Sequence, residues 1–260
     1  MEKESEKAMI TELKLAVTDR YGKSEITEQY FTSPLKLATP KQESGRLRIV
    51  LMMSSAGILK GDHFCYEISC GAGTKTMLTD QSYTKIFDTG MGSARKEQHI
   101  VLNGDASLYY CPCAVIPFQG SSFYGNTTVS LEKESEFAYS DIVTAGRVGM
   151  GERFLFSHFQ NRICVKLDGK YVWMDHCRLE PEQMKLSELF FFDGYTHQGT
   201  FYYYGAQKKQ EALLSHEPKL EGSQAYGVTQ AREGICVRVL AHTAQDIEDI
   251  FNELARLLAL

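Results

Sequence analysis

Apolar residues recur at every second position through most of this chain. From Arg46 to Met53, the residues Leu47, Ile49, Leu51 and Met53 fall on one face, the spacing of a strand with one side buried. Phe64, Tyr66, Ile68 and Cys70 repeat the pattern after the turn Ala56-Gly57-Ile58-Leu59-Lys60-Gly61-Asp62, so the two segments are expected to form a hairpin. Residues 12–18 and 25–31 read as two strands joined across Asp19-Arg20-Tyr21-Gly22. Asn103-Gly104 and Asp168-Gly169 each separate two alternating runs, which predicts two more hairpins. Strands over 127–131, 137–139, 199–204 and 234–240 complete a chain that is mainly β.

Helical periodicity is confined to the C-terminal part. A modest helix is expected over 206–215. A stronger one runs from Gln245 to the end, with Ile247, Ile250, Phe251, Leu254, Leu257 and Leu258 on one stripe and a capping-box-like start at Thr243 and Asp246. Such a stripe is expected to pack on the sheet of its own domain rather than wait for a partner. No internal repeat, low-complexity segment or linker interrupts residues 1–260, which read as a single domain.

Composition narrows the function classes. Hydrophobic residues make up 43% and charged residues 23%, as in ordinary globular proteins. A net charge of -5 argues against nucleic-acid binding, which needs a basic surface. There is no apolar run of membrane-spanning length, and the start Met1-Glu2-Lys3-Glu4-Ser5-Glu6-Lys7 is too charged for a signal peptide. The expected location is the cytoplasm. The seven cysteines are odd in number and scattered, so reduced thiols are expected rather than a disulfide framework.

Few residues suggest chemistry. Cys111-Pro112-Cys113 projects two sulfurs to one side of an extended chain, yet no second cysteine pair answers it, which favours buried strand cysteines over a zinc site. Asp62-His63 and Asp175-His176 pair a carboxylate with an imidazole, both ligand types for nickel or zinc. Adjacent strand residues face opposite ways, so each pair offers at most one inward ligand. Gly71-Ala72-Gly73-Thr74-Lys75-Thr76 lacks the glycine before lysine and the following helix of a phosphate loop. No Gly-x-Ser-x-Gly elbow is present.

The densest glycine stretch is Ala145-Gly146-Arg147-Val148-Gly149-Met150-Gly151-Glu152-Arg153-Phe154. Aromatics follow it instead of a helical stripe, which excludes a dinucleotide loop. It reads as a bulge or corner. Its charges are either solvated, or Arg147 and Glu152 form a buried pair that fixes the bend.

The corners taken together, in order, resemble the urease accessory protein family UreD, also called UreH. They are Ser33-Pro34-Leu35, Gly57 to Asp62, residues 79–87 with Lys85, Pro112 with Ile116-Pro117-Phe118-Gln119-Gly120-Ser121, Asp141, and Gly146-Arg147 to Gly151-Glu152-Arg153-Phe154. Ala56 and Lys60 stand where the family more often has glycine, and Cys111 and Cys113 are outside its pattern. The resemblance implies a solenoid-like, stacked β-sheet arrangement with a short C-terminal helical part. It also implies a non-catalytic scaffold that binds UreF, UreG and urease apoprotein and helps deliver nickel, with no tightly bound cofactor; a homodimer of that complex is compatible with it. On this reading Asp62, Asp141, Glu152 and Asp175 line or approach an internal polar route, assisted by His63 or His176. Arg147 and Arg153 hold carboxylates or carbonyls, while Gly57, Gly61, Pro112, Gly146 and Gly151 shape corners. The rival reading is a cupin-like cytosolic β-barrel metalloenzyme using His63, Glu67 and His99.

Overall fold

The structure, a computed structural model, describes residues 9–220 and 224–260; the charged start at Met1-Lys7 lies outside them. Two sheets face each other. One has seven strands: β1 (Ile10–Arg20), β2 (Lys23–Phe31), β6 (His63–Cys70), β9 (Ala94–Leu102), β12 (Ser122–Leu131), β14 (His158–Leu167) and β15 (Lys170–Leu179), in the order β15-β14-β12-β9-β6-β1-β2. The other runs β17-β18-β16-β13-β10-β7-β5-β3, from β3 (Leu35–Leu37), β5 (Arg46–Met53), β7 (Lys75–Asp80), β10 (Ser107–Cys111), β13 (Glu136–Thr144), β16 (His197–Tyr204), β17 (Ala225–Gln230) and β18 (Ile235–Ala241). The chain alternates between them, so that β6, β9, β12 and β14 stack in parallel on one side and β5, β7, β10 and β13 on the other. This is a β-solenoid. Each coil takes roughly thirty residues, within the usual range of solenoid repeats, although the coils carry no repeated sequence.

Two expected hairpins are corrected by this topology. The strands flanking Gly57 to Asp62 do not pair: β5 lies in one sheet and β6 in the other. Asn103-Gly104 likewise joins β9 to β10 across the gap between sheets. Asp168-Gly169 does close a hairpin, β14 with β15, as does Tyr21-Gly22 between β1 and β2; all four of these residues have positive φ, as two-residue hairpin turns require.

The recognised corners stack along one flank. Short strands β8 (Thr84–Ile86) and β11 (Val115–Pro117) pair there in parallel. Ile58 N–H donates to Lys85 O at 2.8 Å, and Phe118 N–H to Ile86 O at 2.9 Å. A Cβ on Gly57 would lie 2.7 Å from the Phe87 ring, so only glycine lets these two turns touch.

Alternation along the strands builds two cores. Between the sheets lie Leu13, Ile49, Phe64, Leu78, Ile100, Phe137, Phe159 and Tyr202. The outer face of the second sheet carries Tyr109, Ala138, Phe201, Val237 and Val239 under Ile247, Ile250, Phe251 and Leu254 of α2 (Ala244–Leu257). Thr243 caps α2 by accepting from Asp246 N–H at 3.1 Å, and α1 (Gln207–Ser215) packs beside it. The apolar stripe of the last helix is therefore core at Ile247, Ile250, Phe251, Leu254 and Leu258, as its periodicity requires, whereas Leu257, expected on the same stripe, is exposed at the end of the helix.

Candidate functional site

A cavity of about 630 Å³ opens between the sheets. Its walls come from inward positions of successive strands, and several of these positions are polar. Tyr110 O–H donates to Gln98 Oε1 at 2.7 Å, and Gln98 Nε2–H donates to Thr127 Oγ1 at 2.8 Å. Lys96 lies 3.5 Å from the Tyr110 hydroxyl and 4.8 Å above the Tyr66 ring. Asp80 enters from the opposite sheet; burial raises its carboxyl, and the charge of Lys96 opposes that shift. Burial likewise lowers the Lys96 ammonium, opposed by Asp80.

Further along the solenoid, Asp141 accepts from Asn161 Nδ2–H at 2.6 Å and from Tyr139 O–H at 3.2 Å. Burial, and then the Asp175 carboxylate, push Asp141 up to about 6. Across the second sheet Asp141 is in register with Thr200, and Thr200 with Arg238. Arg238 grips Asp175 with both guanidinium nitrogens and also donates to Thr200 at 2.9 Å. An ion pair thus joins the last strand of one sheet, β15, to β18 of the other at this end.

Of the residues expected on an internal route, the structure brings together Asp141 and Asp175. Asp62 is buried in a corner, where it accepts from Leu59 N–H at 2.8 Å; burial raises its carboxyl. His63 sits at the start of β6, 3.5 Å from Cys65 Sγ and 3.6 Å from Glu97. His176 is exposed beside Asp175. Glu152 is held by Arg147 through two hydrogen bonds, one of 2.9 Å, and the guanidinium keeps its carboxyl below the usual range. Arg147 stacks 4.3 Å over Phe118, whereas Arg153 is exposed. The pair fixes the corner, with Gly146 at φ +127°, where an added Cβ would lie 3.1 Å from Glu152 O, and Gly151 at φ +79° ending a 3-10 turn. Gly61 turns at φ +80°, and Pro112 lines the cavity wall.

Cys111 and Cys113 are free thiols; Cys113 donates to Asp80 O at 3.3 Å. Burial pushes them up to about 12 and about 11, which favours the neutral thiol. Among the described residues no three His, Cys, Asp or Glu side chains converge to hold an ion. No helix among them is long and apolar enough to cross a membrane.

The sequence did carry a signal for Lys96 and Gln98. Ala94, Lys96, Gln98, Ile100 and Leu102 share the parity of β9, so two polar side chains interrupt an inward apolar row.

The fold and cavity define a β-solenoid with a polar interior, built from stacked corners and backed by two helices. Residues 9–260 match the sequence profile of the family described as UreD urease accessory protein. The urease accessory protein UreH of Helicobacter hepaticus is 34% identical over 235 residues, 90% of this chain and 92% of that protein. UreH of Helicobacter pylori is 32% identical over 237 residues, with coverages of 91% and 89%. UreD of Acetivibrio thermocellus is 31% identical over 242 residues, 91% of this chain and 92% of its own. The chain belongs to the UreD urease accessory protein family, whose role is in urease maturation.

Proposed function

We propose that this protein is a non-catalytic, cytoplasmic scaffold of urease maturation, acting as one UreD-like domain over residues 1–260. It assembles with UreF, UreG and urease apoprotein, in a complex that accommodates a homodimer, and it passes nickel between its two sheets toward the apoenzyme. The observation that carries the passage is the 630 Å³ cavity, whose wall mixes apolar side chains with carboxylate, amide and phenol oxygens and with Lys85 and Lys96. A borderline cation moves most readily past oxygen groups that bind it without completing a cage. Nickel is then cargo, with no resident cofactor needed.

The geometry favours a narrower route than the sequence suggested. Asp141 lines the cavity, and Asp175, paired with Arg238, adjoins Asp141 and raises its carboxyl; Asp62 and Glu152 are hydrogen-bonded in corners. The cupin-like alternative loses its site, because Glu67 and His99 are exposed on the outer face of the first sheet and the sheets stack instead of closing.

The test uses the full chain co-expressed with UreF, UreG and urease. Asp141→Ala and Asp175→Ala are expected to leave the complex recoverable by pull-down while lowering the nickel content and activity of urease. Unchanged assembly together with unchanged activation would refute the route. Failure of the wild-type chain to recover any of the three partners would refute the scaffold.

A further inference from the structure

The interior of this solenoid contains a cation of its own. Lys96 reaches inward from the third position of β9, flanked by strands of the same sheet on both sides. Its ammonium meets the Tyr66 ring face at 4.8 Å and the Tyr110 hydroxyl at 3.5 Å. Asp80 on β7 lines the same cavity, and its charge opposes the effect of burial on the Lys96 ammonium, but no salt bridge of 4.0 Å or less joins them among the described residues. Gln98 on its own strand and Tyr139 on β13 line the same cavity as neutral groups, and Asp141 and Lys85 are the other charged side chains in its wall.

Lys96 is half-buried, and an ammonium turned toward a core is normally paired closely or left out of it. Here it is held by a ring face and a phenol oxygen, at a distance from its carboxylate, with open space beside it. The arrangement is that of a tethered counter-ion, which balances Asp80 while the cavity is empty and which a four-carbon stem allows to swing aside. Its charge also sets a repulsive field against any free cation in a low-dielectric interior, where such fields are strong.

We propose that Lys96 is the specificity-determining residue of the cavity: its ammonium occupies the cation position facing Asp80, and a divalent cation enters only by displacing it. This rests on the reading of the cavity as a nickel passage. Three consequences follow from the chemistry. Monovalent cations, with a single charge, compete poorly with the tethered one. Divalent cations gain enough from Asp80 and the oxygen-lined wall to enter, yet are held weakly because Lys96 returns. Removal of the charge converts weak, reversible occupancy into firm binding.

Equilibrium dialysis of the purified full chain against nickel chloride at pH 7 tests this, with Lys96→Met, Lys96→Arg and Asp80→Asn compared with wild type. Lys96→Met keeps the stem and removes the charge; it is expected to bind nickel at least tenfold more tightly. Lys96→Arg is expected to stay within about threefold of wild type, and Asp80→Asn to weaken binding in either background. If Lys96→Met does not fold, as judged by strand signal in circular dichroism, Lys96→Gln replaces it with the same expectation. Equal affinity of wild type and Lys96→Met, with Asp80→Asn still weakening both, would overturn the role of Lys96 and leave the passage standing. Absence of binding in every variant, including the charge-free ones, would overturn both.

Discussion

Asp141 carries a stability cost that pH reveals. Its carboxyl is pushed up to about 6, first by burial and then by Asp175, so between its unfolded value and about 6 the folded state holds more protons than the unfolded one. Stability therefore falls as pH rises through that window. The expected loss is on the order of 2 kcal/mol, and Asp141→Asn is expected to remove the slope. Urea unfolding at pH 4.5 and pH 7.5 checks it: a stability difference unaltered by Asp141→Asn would show that the carboxyl does not carry the cost. Glu152 has the opposite sign, because Arg147 holds it below the usual range; its contribution is present at neutral pH and lost as pH falls through the lowered value. Glu152→Gln is expected to cost about 1 kcal/mol at pH 7, less at pH 3, and nothing in the pull-down with urease partners.

At the scale of elements, the strands were legible and their partners were not. Leu47, Ile49 and Leu51 announce a buried face whatever lies beside them, because parity is a local property. Pairing depends on where the next strand is carried. Asn103-Gly104 has the backbone of a tight turn, with Gly104 at φ +56°, but Asn103 N–H donates to Cys70 O in the coil before and Gly104 N–H to Glu132 in the coil after. The same turn chemistry thus serves a hairpin or a stacked corner, and local residues do not distinguish them. Asp141 was singled out with a corner set, whereas Lys96 and Gln98 were readable only as exceptions on an apolar row. The last helix was legible except at Leu257, which is exposed, since both cap and stripe are local. Its seat on the sheet depends on Gly199, where an added Cβ would run into Ile247 and lie 2.8 Å from Phe251. Gly199→Val is expected to lift α2 and destabilise by about 1–3 kcal/mol, measured as a lower urea midpoint; an unchanged midpoint would mean that α2 contributes little to the fold.

The molecule as a whole is a stack in which each coil touches mainly its neighbours, so damage at one end is expected to stay there. The end marked by β15 has its own reporter. Trp173, the single tryptophan, projects from β15 and stacks on Tyr202 of β16 with ring centroids 4.1 Å apart and planes within 6°. Its emission reads whether the two sheets remain closed at that end. The Asp175–Arg238 pair is the polar clamp beside it, and Arg238 is partly exposed, so Arg238→Ala should cost only about 1–2 kcal/mol, largely by leaving Asp175 without its partner. In wild type, urea unfolding followed by tryptophan emission and by far-ultraviolet circular dichroism is expected to coincide. In Arg238→Ala the emission should shift to the red at lower urea than the loss of strand signal, because β15 separates while the coils from β5 to β12 hold. A substitution in the middle of the stack, such as Ile100→Ala, removes contacts that both halves share and is expected to move the two transitions together by about 2–5 kcal/mol. Coincident transitions in Arg238→Ala would show that the clamp closes the whole solenoid and not its end.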